Sequence, residues 1–384
     1  MDQTRCLVPP VPAPKLNIPR SPSTVEVSII DSTTRISIPF TTLIRPPVQD
    51  LPDLKCPSYV FLIHHRPSNQ RLVFDLGVRK DWKNFAPALV RRITQNGWGV
   101  SVQKNISEIL TENGVDLSSI NAVIWSHQHW DHIGDPSTFP ASTALIVGPG
   151  FKDAFAPGYP ANPRGVIRES DYEGREFREV SFPSDDSPDL LRIGRFKAID
   201  YFQDGSFYLL DAPGHTIGHL CALARVTDGD RQGFVLMGAD AAHHAGEFRP
   251  SPYLPLPKDI SPNPLEGISN SRFATGHVCP GEIFLHGDGE DGGPKRADHR
   301  FLAPAKGLSV DGEKASWTIE GLEEFDASDE VLVVLAHDST VQGMLNFFPK
   351  GIEGQMRQDV KNKVRWRWLA DFASETGGTK GERL

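Results

Sequence analysis

The chain has 384 residues, of which 39% are hydrophobic and 23% charged, a balance that fits a packed globular protein and excludes a disordered one. A formal net charge of −9 without a long basic stretch argues against binding nucleic acid through bulk electrostatics. Four scattered cysteines argue against a disulfide framework. With no apolar leader and no run of about 18 apolar residues, we expect a cytoplasmic protein that does not bind membranes.

The beginning of the chain is rich in proline and serine. Residues 1–23 are therefore predicted to form an extended arm, followed by a single domain over residues 24–384. Apolar and polar residues alternate over 25–29 and again over 36–40, on either side of a DSTT turn. This pattern predicts a β-hairpin.

Strands dominate the rest of the domain. Residues 58–65 and 71–77 predict a second pair of strands joined by a polar turn, and INAVIWSH over 120–127 predicts a buried strand. Helical periodicity appears over 82–93. Further apolar runs predict strands at 143–148, 196–202, 206–215, 220–226, 233–240 and 331–337.

Two later segments differ from this pattern. Residues 249–307 are dominated by proline, glycine and charge, and so long an irregular stretch predicts an insertion that lines the substrate site. Helical periodicity returns over 316–325, and a last long helix is predicted over 355–374.

The densest group of candidate metal ligands follows the strand at 120–127, in the sequence SHQHWDHIGD. In an extended segment His127 and His129 project to the same side. Asp131 and His132 are adjacent, so both can face inward only if a turn begins there. Neutral imidazoles and carboxylates are the ligands that zinc prefers, which predicts a metal site, with a histidine-rich polar loop as the alternative.

Further candidates stand where other apolar strands end. His215 lies in PGHTIGH, Asp240 follows GFVLMGA, His337 follows VLVVLA, and Asp75 follows LVF. Sites in α/β folds commonly lie at such strand ends, so we expect these side chains to meet.

Together these residues resemble the metallo-β-lactamase superfamily. HQHWDH fits its HxHxDH signature, and the later aspartates and histidines follow in the family's order over roughly residues 55–340. The resemblance implies an α/β fold of the αββα sandwich type, with two mixed β-sheets flanked by helices.

It also implies two zinc ions, although manganese, iron or cobalt can use such ligands. The ligands of the first ion would be His127, His129 and His215, those of the second Asp131, His132 and His337, with Asp240 as the bridge. Asp75 and His219 would support these ligands without binding metal.

Within the superfamily, HxHxDH with PGHTxGH is similar to the N-acyl homoserine lactonase-like branch. That branch has a tyrosine three residues after the bridging aspartate, where this chain has His243. The departure argues against carrying homoserine lactone specificity over. The run HHAGEFRPS and the insertion resemble fungal members that open lactam or lactone rings.

The resemblance implies a hydrolase that uses a metal-bridging hydroxide to open a small cyclic ester or amide. Asp131 would pass a proton to the leaving group, and His243 would donate to the reacting oxygens. The substrate is expected to be a small, apolar or aromatic molecule. Its pocket would be lined by Trp130, His244, Tyr253, Phe273 and Phe284.

Three other functions share these features. A thioesterase, either glyoxalase II-like or polyketide-releasing, is one alternative, and basic residues in VKNKVRWRW near the C-terminus would suit the first type. A tRNA-processing nuclease is opposed by the acidic charge. A noncatalytic metal-binding module is the third. The sequence gives no indication of an oligomeric state.

Overall fold

A computed structural model of the protein describes residues 5–229, 232–268 and 273–376. The strands are β1 (Glu26–Asp31), β2 (Arg35–Pro39), β3 (Ile44–Arg45), β4 (Asp53–Cys56), β5 (Tyr59–His65), β6 (Gln70–Phe74), β7 (Gly99–Ser101), β8 (Ile120–Ile124), β9 (Ala144–Val147), β10 (Phe177–Glu179), β11 (Leu191–Ile193), β12 (Phe196–Asp200), β13 (Phe207–Asp211), β14 (Leu220–Thr227), β15 (Gly233–Ala239), β16 (Asp259–Ile260), β17 (Cys279–Pro280), β18 (Ala303–Pro304) and β19 (Val331–Leu335). The α-helices are α1 (Phe40–Leu43), α2 (Pro87–Gln95), α3 (Ile106–Glu112), α4 (Trp130–Ile133), α5 (Phe151–Phe155), α6 (Gly312–Ala327), α7 (Glu353–Met356) and α8 (Val360–Val364).

Two six-stranded sheets form the body of the fold. Their strand orders are β1-β5-β6-β8-β9-β10 and β11-β12-β13-β14-β15-β19. Both are mixed, because β6, β8, β9 and β10 run parallel in the first sheet and β15 and β19 run parallel in the second, while the remaining pairs are antiparallel.

The two sheets pack against each other through one face of each. Val27 and Leu72 of the first sheet belong to the same buried cluster as Leu209, Ala222 and Val235 of the second. Because successive side chains of a strand point to opposite faces, the alternate residues remain for the outer faces.

Helices cover those outer faces. Leu89 of α2 and Leu110 of α3 lie in one cluster with Val73 of the first sheet, and Leu322 of α6 joins it beside Leu236 of the second. The predicted αββα sandwich of two mixed sheets is therefore confirmed.

The predicted N-terminal hairpin is wrong. β1 pairs with β5 in the first large sheet, whereas β2 joins a separate three-stranded sheet of order β4-β2-β7. Val27 and Ile29 of β1 are buried between the two large sheets, whereas Ile36 and Ile38 of β2 are buried in the other cluster, so each strand has its own partners. The second predicted pair is confirmed, since β5 and β6 are antiparallel neighbours.

The single helix predicted over 355–374 is also wrong. The chain instead forms α7, α8 and a 3₁₀ helix, Arg367–Thr376. Asp359 between α7 and α8 has a left-handed backbone (φ 56°), which interrupts helical hydrogen bonding. Lys361 and Arg365 are buried and donate to main-chain oxygens, so they cannot form the solvent-facing basic surface that a glyoxalase II-like thioesterase would need.

The N-terminal arm lies along the domain. In the described part of the arm, the Leu7 amide donates to the carbonyl of Leu256 (2.9 Å), and the carbonyl of Leu16 accepts from Gly194 (2.7 Å). Leu16 is buried. The arm therefore contacts both the 249–307 region and the second sheet.

The described parts of the 249–307 region fold onto the C-terminal end of the chain. Arg249 forms a bidentate ion pair with Asp326 of α6, and the ring of Phe301 packs against Trp368. Among the described residues, no helix has both the length and the apolar character needed to cross a bilayer.

Candidate metal centre

The ends of four strands and one loop between strands meet at one edge of the two packed sheets. Asp75 follows β6, the HQHWDH motif follows β8, Asp240 follows β15, and His337 lies two residues after β19. β6 and β8 are parallel, as are β15 and β19, so their carboxyl ends meet at the same edge. His215 comes from the loop between β13 and β14.

The first half of the HQHWDH motif is extended and the second half is helical. His127 lies in the extended segment after β8, and His129 caps the short helix α4, whose first turn contains Asp131 and His132. The amide of His132 donates to the carbonyl of His129 (3.0 Å). The tight turn therefore brings ligand atoms of both halves of the motif to one place.

The clustered side chains form two groups. Ligand atoms of His127, His129, His215 and Asp240 lie within 4.8 Å of one another, and so do those of Asp131, His132 and His337. This division matches the one implied by the family resemblance. The shortest contact in the first group joins Nε2 of His215 and Nδ1 of His129 (3.0 Å).

Asp240 stands between the two groups. Its Oδ2 lies 3.5 Å from Nε2 of His127 and 3.4 Å from Nε2 of His215. Its Oδ1 lies 3.0 Å from Nε2 of both His132 and His337. One carboxylate oxygen therefore faces each group, the arrangement that a bridging ligand requires.

Buried acceptors fix which nitrogen of each imidazole faces the centre. Asp75 accepts from the amide of Ser126 at Oδ1 (2.7 Å), and from Nδ1 of His132 at Oδ2 (2.8 Å). The hydroxyl of Ser126 also donates to Oδ2 of Asp75 (2.8 Å) and contacts Nδ1 of His127 (2.9 Å). Because Nδ1 of each ring is engaged in this way, Nε2 is the nitrogen that each ring turns toward Asp240.

Two further contacts act in the same way. Nδ1 of His337 donates to the carbonyl of Pro57 (2.8 Å), which leaves its Nε2 for the centre. Nδ1 of His219 donates to the carbonyl of Ala212 (2.9 Å), and its Nε2 accepts from the amide of Asp240 (3.2 Å). His219 thus positions the main chain of Asp240 and belongs to neither group.

Burial keeps the histidines of the first group neutral. It lowers the pKa of His129 to about 3 and the pKa values of His127 and His215 well below the usual range, with neighbouring imidazoles adding to the effect. Neutral imidazole is the form that binds a metal ion.

The carboxylate of Asp240 has the largest electrostatic effect on the second group. Burial alone would lower the pKa of His132, but the charges of Asp240 and Asp75 outweigh it and raise this pKa to about 10. Asp240 likewise raises the pKa of His337 well above its ordinary value. Burial opposes ionisation of Asp240, but His132 and His337 hold its pKa well below its usual range. A negative potential of this kind attracts a divalent cation, whose binding would release protons.

Several buried polar atoms at the centre fit metal ions. Nε2 of His127, Nε2 of His132 and Oδ1 of Asp240 are buried and make no hydrogen bond. Such groups are costly to bury unless they coordinate an ion. One group offers three imidazoles, and the other offers a carboxylate and two imidazoles, with Asp240 between them. These are the nitrogen and oxygen donors that zinc takes.

A cavity of about 60 Å³ opens onto the centre. Its walls come from the three-stranded sheet β4-β2-β7, from the end of α2 and from the segment before α6. The residues that line it there are Ile36, Ile38, Arg92, Trp98 and Leu308. Trp130 also lines this cavity, and its ring stacks on that of Trp98 (6.2 Å, 21°). None of the described residues of the 249–307 region lines it, although Leu308 directly follows that region.

Four of the predicted pocket residues lie elsewhere. The ring of His244 donates from Nε2 to Asp371 (3.0 Å) and accepts at Nδ1 from the amide of Gly246 (3.0 Å). Both of its nitrogens are thus used away from the cavity. Phe284 is buried in the core, and Phe273 and Tyr253 are not among the residues that line the cavity.

His243, unlike His244, lines the cavity beside Asp240. Its side chain lines the cavity, with Nε2 3.3 Å from Oδ2 of Asp240, and its buried Nδ1 has no hydrogen-bond partner. The main chain of His243 and His244 donates to Oε1 of buried Glu247 (2.9 and 3.1 Å). This turn directs one of the two adjacent histidines inward and the other away.

Sequence reasoning missed several residues that shape the site. Ser126 has a local signal, since it directly precedes the HQHWDH motif. The carbonyl of Pro57 and the side chains of Ile36 and Arg92 have none, because they reach the centre only through the packing of distant segments.

Several known proteins are similar to this chain. A family model described as the metallo-beta-lactamase superfamily matches residues 53–227. Gamma-lactamase FDB1 of Fusarium pseudograminearum (strain CS3096) is 44% identical over 366 residues, which cover 94% of this chain and 85% of that protein. Gamma-lactamase MBL2 of Gibberella moniliformis (strain M3125 / FGSC 7600) is 51% identical over 261 residues, which cover 68% of this chain and all (100%) of that protein.

Among solved structures, a variant of B. thuringiensis AiiA with N-decanoyl-L-homoserine bound at its active site aligns with a TM-score of 0.53 at 17% identity. The alignment covers 86% of this chain and 100% of that one, and it shows a shared fold. The chain therefore belongs to the metallo-β-lactamase superfamily. It is a metal-dependent hydrolase related to proteins named as lactamases.

Proposed function

We propose that this protein is a dinuclear zinc hydrolase that opens a small cyclic ester or amide. The observation that carries the proposal is the placement of Asp240, whose two carboxylate oxygens face two separate ligand groups at 3.0–3.5 Å. One ion would be held by His127, His129 and His215, and the other by Asp131, His132 and His337.

The relatives support the choice of substrate class. Proteins named gamma-lactamases are 44% and 51% identical to this chain, and N-acyl homoserine lactonases from two bacteria are 27% and 26% identical over 130 residues. Lactams and lactones both contain a carbonyl group within the ring, and attack of water on that carbonyl opens the ring. One centre can therefore serve either class.

Two zinc ions, when bound, would lower the pKa of a water molecule and polarise the substrate carbonyl. The protein's own part is to orient the substrate and move protons. Asp131 Oδ2 lies 3.5 Å from Nε2 of His337, at the side of the centre that faces the cavity. There its carboxylate can take up the proton that the attacking water loses and deliver it to the ring oxygen or nitrogen as the ring opens.

His243 is proposed to assist from the cavity wall. Its side chain lines the cavity and its Nε2 lies 3.3 Å from Oδ2 of Asp240, so the ring lies where a substrate carbonyl would meet the metal centre. A donor held ready for the charge that develops on the carbonyl oxygen stabilises the transition state more than the ground state. Replacement of His243 by Ala should therefore lower kcat by about 10–100-fold with a smaller effect on KM.

The proposal is tested with a panel of γ-lactones, γ-lactams, β-lactams and thioesters offered to zinc-loaded protein. We expect ring opening of at least one lactone or lactam, with the His129→Ala variant as the blank. Equal, background rates across the whole panel would refute the proposed function. Preferential cleavage of the thioesters would instead favour the thioesterase alternative.

The role of Asp131 has its own test. The Asp131→Asn variant should keep part of its zinc and lose most of its turnover, because an amide cannot pass the proton. Zinc content and kcat are measured on the same sample. Full turnover in zinc-loaded Asp131→Asn would remove Asp131 from the proposed proton path.

A further inference from the structure

One residue with a permanent positive charge lines the cavity of the metal centre. This residue is Arg92 of α2, and the other lining residues are neutral, acidic or histidine. The adjacent Arg91 is also exposed on α2 but is not among the residues that line the cavity. The position of Arg92 is therefore a local feature of the cavity.

Aromatic stacking holds the guanidinium in place. The central carbon of the Arg92 guanidinium lies 5.6 Å from the centroid of the Trp98 ring, which in turn stacks on Trp130. The amide of Trp98 donates to the carbonyl of Ile93 (3.2 Å), which ties the ring to the end of α2. A cation–π contact uses the face of the guanidinium and leaves its N–H groups available.

Within the described ranges, no carboxylate pairs with Arg92 and no oxygen accepts a hydrogen bond from its guanidinium. Other ordered arginines differ: Arg195 binds Glu320 and Glu324, and Arg249 binds Asp326. A cation that is oriented by stacking yet lacks an anion is suited to receive one from a ligand.

The size of the cavity indicates which part of a ligand reaches Arg92. About 60 Å³ is far less than the roughly 300–1,000 Å³ of sites that enclose a whole drug-sized molecule. Only the ring that is opened can lie against the metal ligands. The rest of the substrate must extend toward the mouth, where Arg92 is exposed and Trp98 is half-buried.

We propose that Arg92 determines specificity by binding an acidic substituent of the substrate. The preferred substrates would then be planar, aromatic lactones or lactams that carry a carboxylate away from the ring that is opened. The planar part would lie along the Trp98 and Trp130 rings, and the carboxylate would accept two hydrogen bonds from the guanidinium fork. This inference rests on the proposed function, because it takes the metal centre as the place where the ring is opened.

The test compares two substrates that differ only in charge. A benzene-fused γ-lactone with a carboxylate on the benzene ring is paired with its carboxamide, which has nearly the same shape. We expect zinc-loaded wild-type protein to prefer the carboxylate by about tenfold or more in kcat/KM, the effect of one charge-assisted contact. In Arg92→Gln the ratio of the two kcat/KM values should fall to near one.

The adjacent arginine provides a matched control. Arg91 lies on the same helix and is also exposed, but it does not line the cavity. Arg91→Gln makes the same change in charge and should keep the wild-type preference. Arg92→Lys keeps the charge without the planar fork and should keep only part of it.

A binding measurement separates this inference from the proposed function. The ring-opened products of the two lactones share the same new carboxylate and hydroxyl, so calorimetric titration of zinc-loaded protein reports only the remote group. Tighter binding of the doubly acidic product that disappears in Arg92→Gln supports the inference even if neither lactone is hydrolysed. Equal preference in wild type and Arg92→Gln, or none in wild type, overturns it even if both lactones are hydrolysed.

Discussion

Replacing Asp75 by Asn would test how the protein prepares its histidines for metal. Asp75 is buried and accepts from the amide of Ser126 (2.7 Å), the hydroxyl of Ser126 (2.8 Å) and Nδ1 of His132 (2.8 Å). If the asparagine oxygen keeps the first contact, its NH₂ group faces the nitrogen of His132. That ring must then move its proton to Nε2, the atom that lies 3.0 Å from Asp240. A protonated Nε2 cannot bind metal.

The expected loss follows from the role of such supporting carboxylates. Their removal typically weakens metal binding by about 10–100-fold, which corresponds to about 1.4–2.7 kcal/mol. Metal-free protein should also lose about 1–3 kcal/mol of unfolding free energy, because the buried hydroxyl of Ser126 loses Oδ2 of Asp75 as its acceptor. Chelator competition measures the first quantity, and urea denaturation in EDTA measures the second.

Asp153→Asn is the matched control, since it makes the same chemical change at an exposed position of α5. It should leave zinc affinity and stability unchanged. If Asp75→Asn bound zinc as tightly as wild type, the explanation of how His132 is oriented would be refuted.

Three further perturbations have expected outcomes. Burial raises the pKa of Glu323 to about 7 in the folded protein from its ordinary value of 4.5. The folded state therefore loses stability relative to the unfolded state as pH rises from 4.5 toward 7. Glu323→Gln should stabilise metal-free protein at pH 8 by about 1–3 kcal/mol but not at pH 4. Asp326 is buried in a bidentate ion pair with Arg249 (2.7 and 2.8 Å), so Asp326→Ala should cost about 3–5 kcal/mol in urea denaturation. A Cβ on Gly214 would lie 2.1 Å from the amide nitrogen of Ala315, and φ of Gly214 is +122°, so Gly214→Ala should lower the midpoint of thermal unfolding. It should also lower the zinc content, because the next residue, His215, is a proposed ligand.

Each of these outcomes can be contradicted directly. Equal stabilisation by Glu323→Gln at both pH values would show that its carboxyl is not held protonated by burial. A cost of less than about 1 kcal/mol for Asp326→Ala would show that this ion pair does not anchor the 249–307 region. Wild-type zinc content in Gly214→Ala would mean that the loop shifts without moving His215.

The clustered residues of the centre were predictable because their signals are local. His127, His129, Asp131 and His132 lie in one short motif, and Asp240 directly follows an unbroken apolar strand. The order of these elements along the chain was enough to predict the family and its αββα sandwich.

The walls of the cavity were not predictable, because they depend on contacts between distant segments. β2 leaves its expected hairpin and brings Ile36 and Ile38 to the cavity, while the 249–307 region, expected to line it, packs against α6 and the C-terminal turns. The composition of 249–307 indicated irregular structure but not the side on which it would pack.

Adjacent residues show the same limit on a smaller scale. His243 and His244 are chemically identical, and only the turn held by Glu247 decides that one lines the cavity while the other binds Asp371. Asp359 interrupts the predicted C-terminal helix through a left-handed backbone that periodicity does not reveal.

The central claim is that two ions, bridged by Asp240, are needed for ring opening. It is tested most directly by titrating zinc into metal-free protein while measuring bound zinc and the rate of lactone or lactam hydrolysis in the same sample. The account predicts that hydrolysis continues to rise until two equivalents per chain are bound and then stays constant. Full activity at one equivalent, or two bound equivalents with no hydrolysis of any lactone or lactam, would contradict it.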